Sequence, residues 1–278
     1  MKTIYHFSGA GNDFVVIDGR EGDVSAFREV LRIEALCREY RTDGLMILGM
    51  PDPDRPSVDF TMEFYNPDGS GGMMCGNGGR CIVAFADYLG IRPAECERSA
   101  EGVTAAPGVF LFRAPDGLHT GEILDRPSED LWTVCIKMID VQGVTPMLDG
   151  YFLNTGTRHF VKFVDDVETV DVEAEGKALR WDPAFAPIGT NVNFVHVAPD
   201  GLHVRTFEKG VEGETLACGT GLTASAIVAA YTKAFPVHPV AVRARQDWLS
   251  VDFTPGSDDS FTDVYLTGPA RLICTAGA

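Results

Sequence analysis

Twice in this chain a cysteine opens a glycine-rich turn that runs straight into an apolar helix. Residues 207–233 read FEKGVEGETLACGTGLTASAIVAAYTK, with Cys218, the turn Gly219-Thr220-Gly221, and an apolar run from Leu222 to Tyr231. A helix apolar on every side has to be buried on every side. Cys218 is therefore expected at the mouth of a buried helix. Free N–H groups and the helix dipole favour an anion there and lower a thiol's pKa. Residues 74–89, MCGNGGRCIVAFADYL, repeat the pattern around Cys75. The two cysteines lie 143 positions apart (218 − 75), about half of the chain's 278 residues. A polar, turn-rich segment precedes each, Asn66–Ser70 in one case and Glu208–Gly210 in the other. The pattern reads as a duplicated domain with one poised thiol per copy.

Length and charge agree with that reading. At 278 residues the chain exceeds the usual size of a single core, so two domains are expected. A formal net charge of −17 argues against a nucleic-acid or anionic-membrane partner. No apolar run reaches the length of a membrane span, and no signal peptide is visible at the start. Seven irregularly spaced cysteines fit free thiols in a reducing cytoplasm better than a disulfide framework.

Taken in order, 2–7 and 14–18 read as strands around Ser8–Asp13, either a plain hairpin turn or a close-approach loop in which Asn12 offers donor and acceptor. Residues 25–40 read as one amphipathic helix, with Phe27, Val30, Leu31 and Leu36 on its apolar face. A proline-rich loop at 51–57 precedes the clean alternation of Val58–Tyr65, a half-buried strand that delivers Asn66. Strands are further expected at 45–48, 109–113, 122–124, 132–139, 160–164, 191–195 and 202–207, and a short helix at 173–181. Strands at 237–243, 248–253, 264–266 and 271–274 close the chain. Many short strands with two central apolar helices indicate α+β, each sheet wrapped around its helix.

Four uses are open to two thiols at helix mouths. Neither belongs to a C-x-x-C pair, so a redox dithiol is disfavoured, and no Cys/His cluster supplies a zinc ligand set. Covalent catalysis by one thiol with His159 as base leaves the second cysteine unused. The fourth use takes both: one thiolate removes a proton from a carbon and the opposing thiol delivers one to the other face. That inverts a stereocentre without cofactor or metal. Glycine-rich turns at the helix starts can hold an α-carboxylate and stabilise the developing carbanion.

The segments SGAGNDFVVID (8–18), FYNPDGS (64–70), CGNGGRC (75–81), GTRHFV (156–161), NVNFV (191–195) and GETLACGTG (213–221) resemble the diaminopimelate epimerase family, in order along the whole chain. The resemblance implies two pseudo-symmetric domains, each a β-barrel-like sheet around a central helix, with the active site in the cleft between them. The expected division is 1–138, completed by 268–278, and 139–267. It implies no cofactor and no metal, an amino-acid substrate, and L,L-diaminopimelate converted to the meso form in lysine and cell-wall biosynthesis. A homodimer is possible by the same resemblance. Cys75 and Cys218 match the two acid/base residues, and His159 and Glu208 the residues that assist them. Gly76, Asn77, Gly219 and Thr220 match the carboxylate cradle. Asn12, Asn66 and Asn191, with Glu208 and Lys209, match substrate-binding positions. Cys81 reads as core packing, and Cys37, Cys96, Cys135 and Cys274 as structural.

The chain departs from the family pattern in places. Thr157-Arg158-His159 stands where Asn-Pro-His is usual and Glu208-Lys209 where Glu-Arg is usual. One residue is added between Gly210 and Gly213, and the glycine-rich segment is shortened to Tyr40–Gly44. These positions bear on the distal end of the substrate, where Lys does not replace Arg at a bidentate site. Arg158 is either a replacement guanidinium or a surface arginine. A racemase for another amino acid and a non-catalytic binder of the same fold are the alternatives.

Overall fold

Continuous apolar runs at 14–17 and 45–48 and the alternation at 60–65 build strands of the first half, and a buried helix over 76–88 gives them something to enclose. The computed structural model describes residues 2–51, 58–72 and 74–277 and divides into two units: the chain up to Ile136 with the tail from Pro269, and Lys137–Gly268. In the first, β1 (Thr3–Gly9) and β2 (Asn12–Asp18) form a hairpin. Its two turn residues, Ala10 and Gly11, both have positive φ, 60° and 95°, as a tight turn matching the strand twist requires. The Ser8–Asp13 loop is therefore the hairpin turn.

Helix α1 (Val30–Tyr40) crosses to β3 (Gly44–Gly49), parallel to β2, and β4 (Phe60–Tyr65) returns antiparallel. Helix α2 (Gly76–Tyr88) crosses to β7 (Phe110–Ala114), parallel to β4, after a separate ribbon of β5 (Arg98–Ala100) and β6 (Val103–Ala105). A meander through β8 (Gly117–Ser128) and β9 (Leu131–Lys137) follows. The far half of β18 (Phe261–Gly277) pairs with β1, and β18 neighbours β9, closing eight strands into a barrel. Every residue of α2 from Gly76 to Ala86 is buried, packed on β1, β2, β3 and β8.

The second unit repeats this order. β11 (Gly150–Asn154) and β12 (Arg158–Phe163) pair antiparallel, with β10 (Thr145–Met147) outside β11. Helix α3 (Val172–Arg180) crosses to β13 (Asn191–Ala198), parallel to β12, and β14 (Gly201–Glu208) returns antiparallel with β15 (Gly213–Thr215) beside it. Helix α4 (Gly219–Tyr231) crosses to β16 (Val240–Arg243), parallel to β14, and β17 (Trp248–Pro255) leads into β18. Helix α4 packs against six strands, β11, β12, β13, β14, β16 and β17, and is buried from Gly221 to Ala229.

Two expectations are corrected. The helix read over 25–40 breaks at Glu29, whose backbone is extended, into a 3-10 turn at Ser25–Arg28 and α1. The break shifts the phase, so Phe27, Ile33, Leu36 and Cys37 are buried while Val30 and Leu31 are 49% and 79% exposed. The last two strands are one: β18 continues through Gly268-Pro269, its ladder with β17 ending at Thr267 and that with β1 beginning at Arg271. The proline-rich stretch 51–57 lies, beyond Pro51, outside the described residues.

Candidate active site

In the second unit the β14 end and the α4 start bring Glu208 and Cys218 together. Cys218 is the N-cap residue of α4 and only 8% exposed. Its thiol hydrogen-bonds the Glu208 carboxylate, and its Sγ lies 3.4 Å from Thr220 Oγ1. Burial, then the Glu208 charge, push the thiol well above its ordinary range, against the opposing pull of the Thr220 hydroxyl and the Gly221 N–H. This corrects the expectation of a lowered pKa: at Cys218 desolvation and a carboxylate outweigh the helix mouth. Glu208 is itself steadied by a hydrogen bond from the Thr215 hydroxyl.

His159, on β12, is fully buried beneath the first turn of α4. Its Nε2 meets Thr157 Oγ1 at 2.8 Å and Thr220 Oγ1 at 3.0 Å, and its Nδ1 meets Asn193 Nδ2 at 3.0 Å. The ring thus reaches Cys218 through Thr220 rather than by a bond to sulfur. Burial lowers its pKa to about 3, so the imidazole is neutral.

Asn191 ties the end of β12 to the turn after β14. Its Oδ1 accepts from the Lys209 N–H at 2.8 Å, and its Nδ2 donates to the Arg158 carbonyl at 2.9 Å and to Thr157 Oγ1 at 3.4 Å. Arg158 follows the strand alternation onto the other face, its guanidinium 5.1 Å from the Phe152 ring centroid, beside the core of Phe160 and Phe185.

In the first unit Cys75 is exposed and caps α2, its Sγ accepting from the Gly78 N–H at 3.3 Å. Such a bond favours negative sulfur. Asn77, the second residue of α2, donates from Nδ2 to Asn12 Oδ1 and accepts from Arg80 Nη2 at 2.9 Å. Asn12 Nδ2 donates in turn to Asp43 at 3.2 Å. The hairpin turn and the helix start are therefore one hydrogen-bonded unit. They approach so closely that a Cβ on Gly9 would stand 2.7 Å from the Asn77 carbonyl oxygen. Arg80 is fully buried, donating also to the Gly76 and Pro269 carbonyls at 3.2 and 3.3 Å. Asn66 sits in its own turn, donating to Ser70 Oγ at 3.0 Å.

Arg80, Asn193 and Thr206 were not singled out by the sequence, and Thr157 stood out there only as a departure from the family triplet. All seven cysteines are free thiols. Cys37 and Cys81 are buried, Cys135 is half-buried, and Cys96 and Cys274 are exposed. Among the described residues no group of three or more His, Cys, Asp or Glu converges to hold a metal ion, and no helix is long and apolar enough to cross a membrane.

In fold the chain is of the two-unit α+β class seen in a probable proline racemase from Agrobacterium radiobacter K84 (TM-score 0.66, 16% identity, covering 100% of this chain and 93% of that one). A phenazine biosynthesis protein of the PhzF family from Bacillus anthracis shares it (TM-score 0.69, 12% identity, 99% and 98% covered). Sequence narrows the class. The family model for diaminopimelate epimerase matches residues 4–102 and 151–273. Diaminopimelate epimerases from Aquifex aeolicus (40% identity; 95% of this chain, 93% of the other) and Flavobacterium psychrophilum (35%; 97% of each) align along nearly the full length. The chain belongs to the diaminopimelate epimerase family.

Proposed function

We propose that this protein is a diaminopimelate epimerase, inverting one α-carbon of L,L-diaminopimelate to the meso form for lysine and cell-wall synthesis with no cofactor or metal. The observation that carries the reading is the pair of cysteines, each capping a buried, glycine-started helix in a chain of this family. Cys75, accepting from an amide N–H, starts as the thiolate base, and Cys218, donating to Glu208, starts as the thiol acid. The thiolate takes the α-proton, leaving its electron pair on carbon, and the thiol returns a proton to the opposite face. The two sulfurs exchange protonation states and nothing else changes. The N–H groups of Gly76, Asn77, Gly219 and Thr220 hold the reacting carboxylate. Asn12, Asn66, Asn191, Glu208 and Lys209 serve the substrate's amino and carboxylate groups. His159 supports Cys218 through Thr220. Seven free thiols suit a reducing cytoplasm, and the assembly is a homodimer by family likeness.

The test is chiral chromatography of L,L-diaminopimelate and a panel of single amino acids incubated with the reduced protein. Conversion of diaminopimelate alone is expected. Inversion of another amino acid instead would move the chain to a different racemase, and inversion of none would overturn the enzymatic reading.

A further inference from the structure

Behind Cys218 a row of polar side chains runs through the core of the second unit. Thr206, Asn193 and His159 are 3%, 0% and 0% exposed, so each polar atom must find its partner within the protein. Thr206 Oγ1 donates to Asn193 Oδ1 at 3.0 Å. Asn193 Nδ2 lies 3.1 Å from the Phe160 carbonyl oxygen and 3.0 Å from His159 Nδ1. A carbonyl oxygen can only accept, so the amide atom facing it is the NH2 group. One of its hydrogens serves Phe160 and the other points at His159 Nδ1, which is therefore the bare nitrogen of the ring. A neutral imidazole then carries its proton on Nε2.

That Nε2–H faces two hydroxyls, Thr157 Oγ1 at 2.8 Å and Thr220 Oγ1 at 3.0 Å, which are 3.0 Å from each other. The ring hydrogen fills one acceptor position. Passed from Thr157 to Thr220, the row ends with the Thr220 hydrogen free to point at Cys218 Sγ, 3.4 Å away. The helix start is shaped to this row. A Cβ on Gly221 would stand 2.3 Å from Asn193 Oδ1 and 3.3 Å from His159 Cε1.

We infer that Asn193 is a positioning residue for the two-thiol reaction: it locks His159 as the Nε2–H tautomer, making the ring a fixed hydrogen-bond donor rather than a base, and the Thr157–Thr220 hydroxyls end that donor row on the Cys218 sulfur. Cys218 then has an acceptor for its proton on one side, Glu208, and a donor for its negative charge on the other. That suits a sulfur that alternates between thiol and thiolate in each turnover. The inference deepens the proposed epimerase mechanism and rests on it for its meaning, but its geometry is testable without substrate.

The experiment is nitrogen-15 NMR of ring-labelled histidine in the resting wild-type protein from about pH 5 to about pH 9, with the His159 signals assigned by substitution. A protonated Nε2 and a bare Nδ1 are expected throughout. A proton on Nδ1, or uptake of a second proton within that range, overturns the inference. In parallel, the pH dependence of alkylation is followed at each cysteine by mass spectrometry in wild type and Asn193→Leu. The variant is expected to show mixed tautomers and a Cys218 profile moved to higher pH, with the Cys75 profile unmoved. A variant whose ring stays Nε2–H and whose Cys218 profile stays in place also overturns it. Both readouts come from resting protein, so a failure to find turnover counts against the function and leaves this inference to its own result.

Discussion

Cys75 and Cys218 look alike in the sequence and differ in the structure because one is buried beside a carboxylate and the other is exposed. Burial in the core and then the Glu208 carboxylate raise one thiol, while the exposed other accepts an amide hydrogen. His159 shows the same dependence on context. Its pKa falls to about 3 because burial disfavours the cation. The folded value lies below the unfolded one near 6.5, so the stability it contributes is fully present above about pH 6.5 and is lost as pH falls towards 3. By pH 4 the loss amounts to about 3 kcal/mol. His159→Gln has no proton to take up, so its urea midpoint is expected to fall less than that of wild type between pH 7 and pH 4. Parallel losses in the two proteins would contradict this. Asn193 was within reach of the sequence: Asn191 and Asn193 alternate on one face of a strand whose first five residues are otherwise valine and phenylalanine, which marks two inward polar groups. Its partners Phe160, His159 and Thr206 come from other stretches of chain, and no local pattern names them.

The two central helices are the elements most legible beforehand, because an apolar run with no polar face leaves only a buried position. The half-buried β4 was equally plain from its alternation. The break at Glu29 was not, since Ser25–Tyr40 carries no proline or glycine to mark it and tertiary packing of Phe27 sets it. The continuity of β18 was hidden by Gly268-Pro269, a pair that usually ends a strand. Here it falls where the strand passes from one unit to the other, and Pro269, lacking an N–H, offers its carbonyl to Arg80. The glycine at the start of α4 carries a prediction at this scale. Gly221→Ala puts a methyl group 2.3 Å from Asn193 Oδ1, and overpacking there is expected to cost about 1–3 kcal/mol in urea unfolding. Gly143→Ala, with nothing within 4 Å, serves as the control and is expected to leave stability unchanged. Equal stability of the two variants would show that the α4 start tolerates a side chain.

Across the whole molecule the same order recurs in each unit: a hairpin, a helix crossing to a parallel strand, a return strand, and a second crossing through the buried helix that begins at a cysteine. Duplication accounts for two such thiols in a single chain, and the proposed inversion of a carbon uses both. The spacing of 143 residues (218 − 75) made the duplication legible; the place of the Arg158 guanidinium, 5.1 Å from the Phe152 ring centroid, was not. The central claim is that one cysteine takes a proton and the other supplies a different one. It is tested most directly by early-time conversion of L,L-diaminopimelate in D2O, reading deuterium separately in product and in recovered substrate. The expected result is deuterium at the inverted carbon of the product, a retained α-proton in the recovered L,L isomer, and loss of inversion in both Cys75→Ala and Cys218→Ala. Deuterium entering recovered substrate as fast as product, or inversion surviving in either variant, would contradict a two-thiol mechanism.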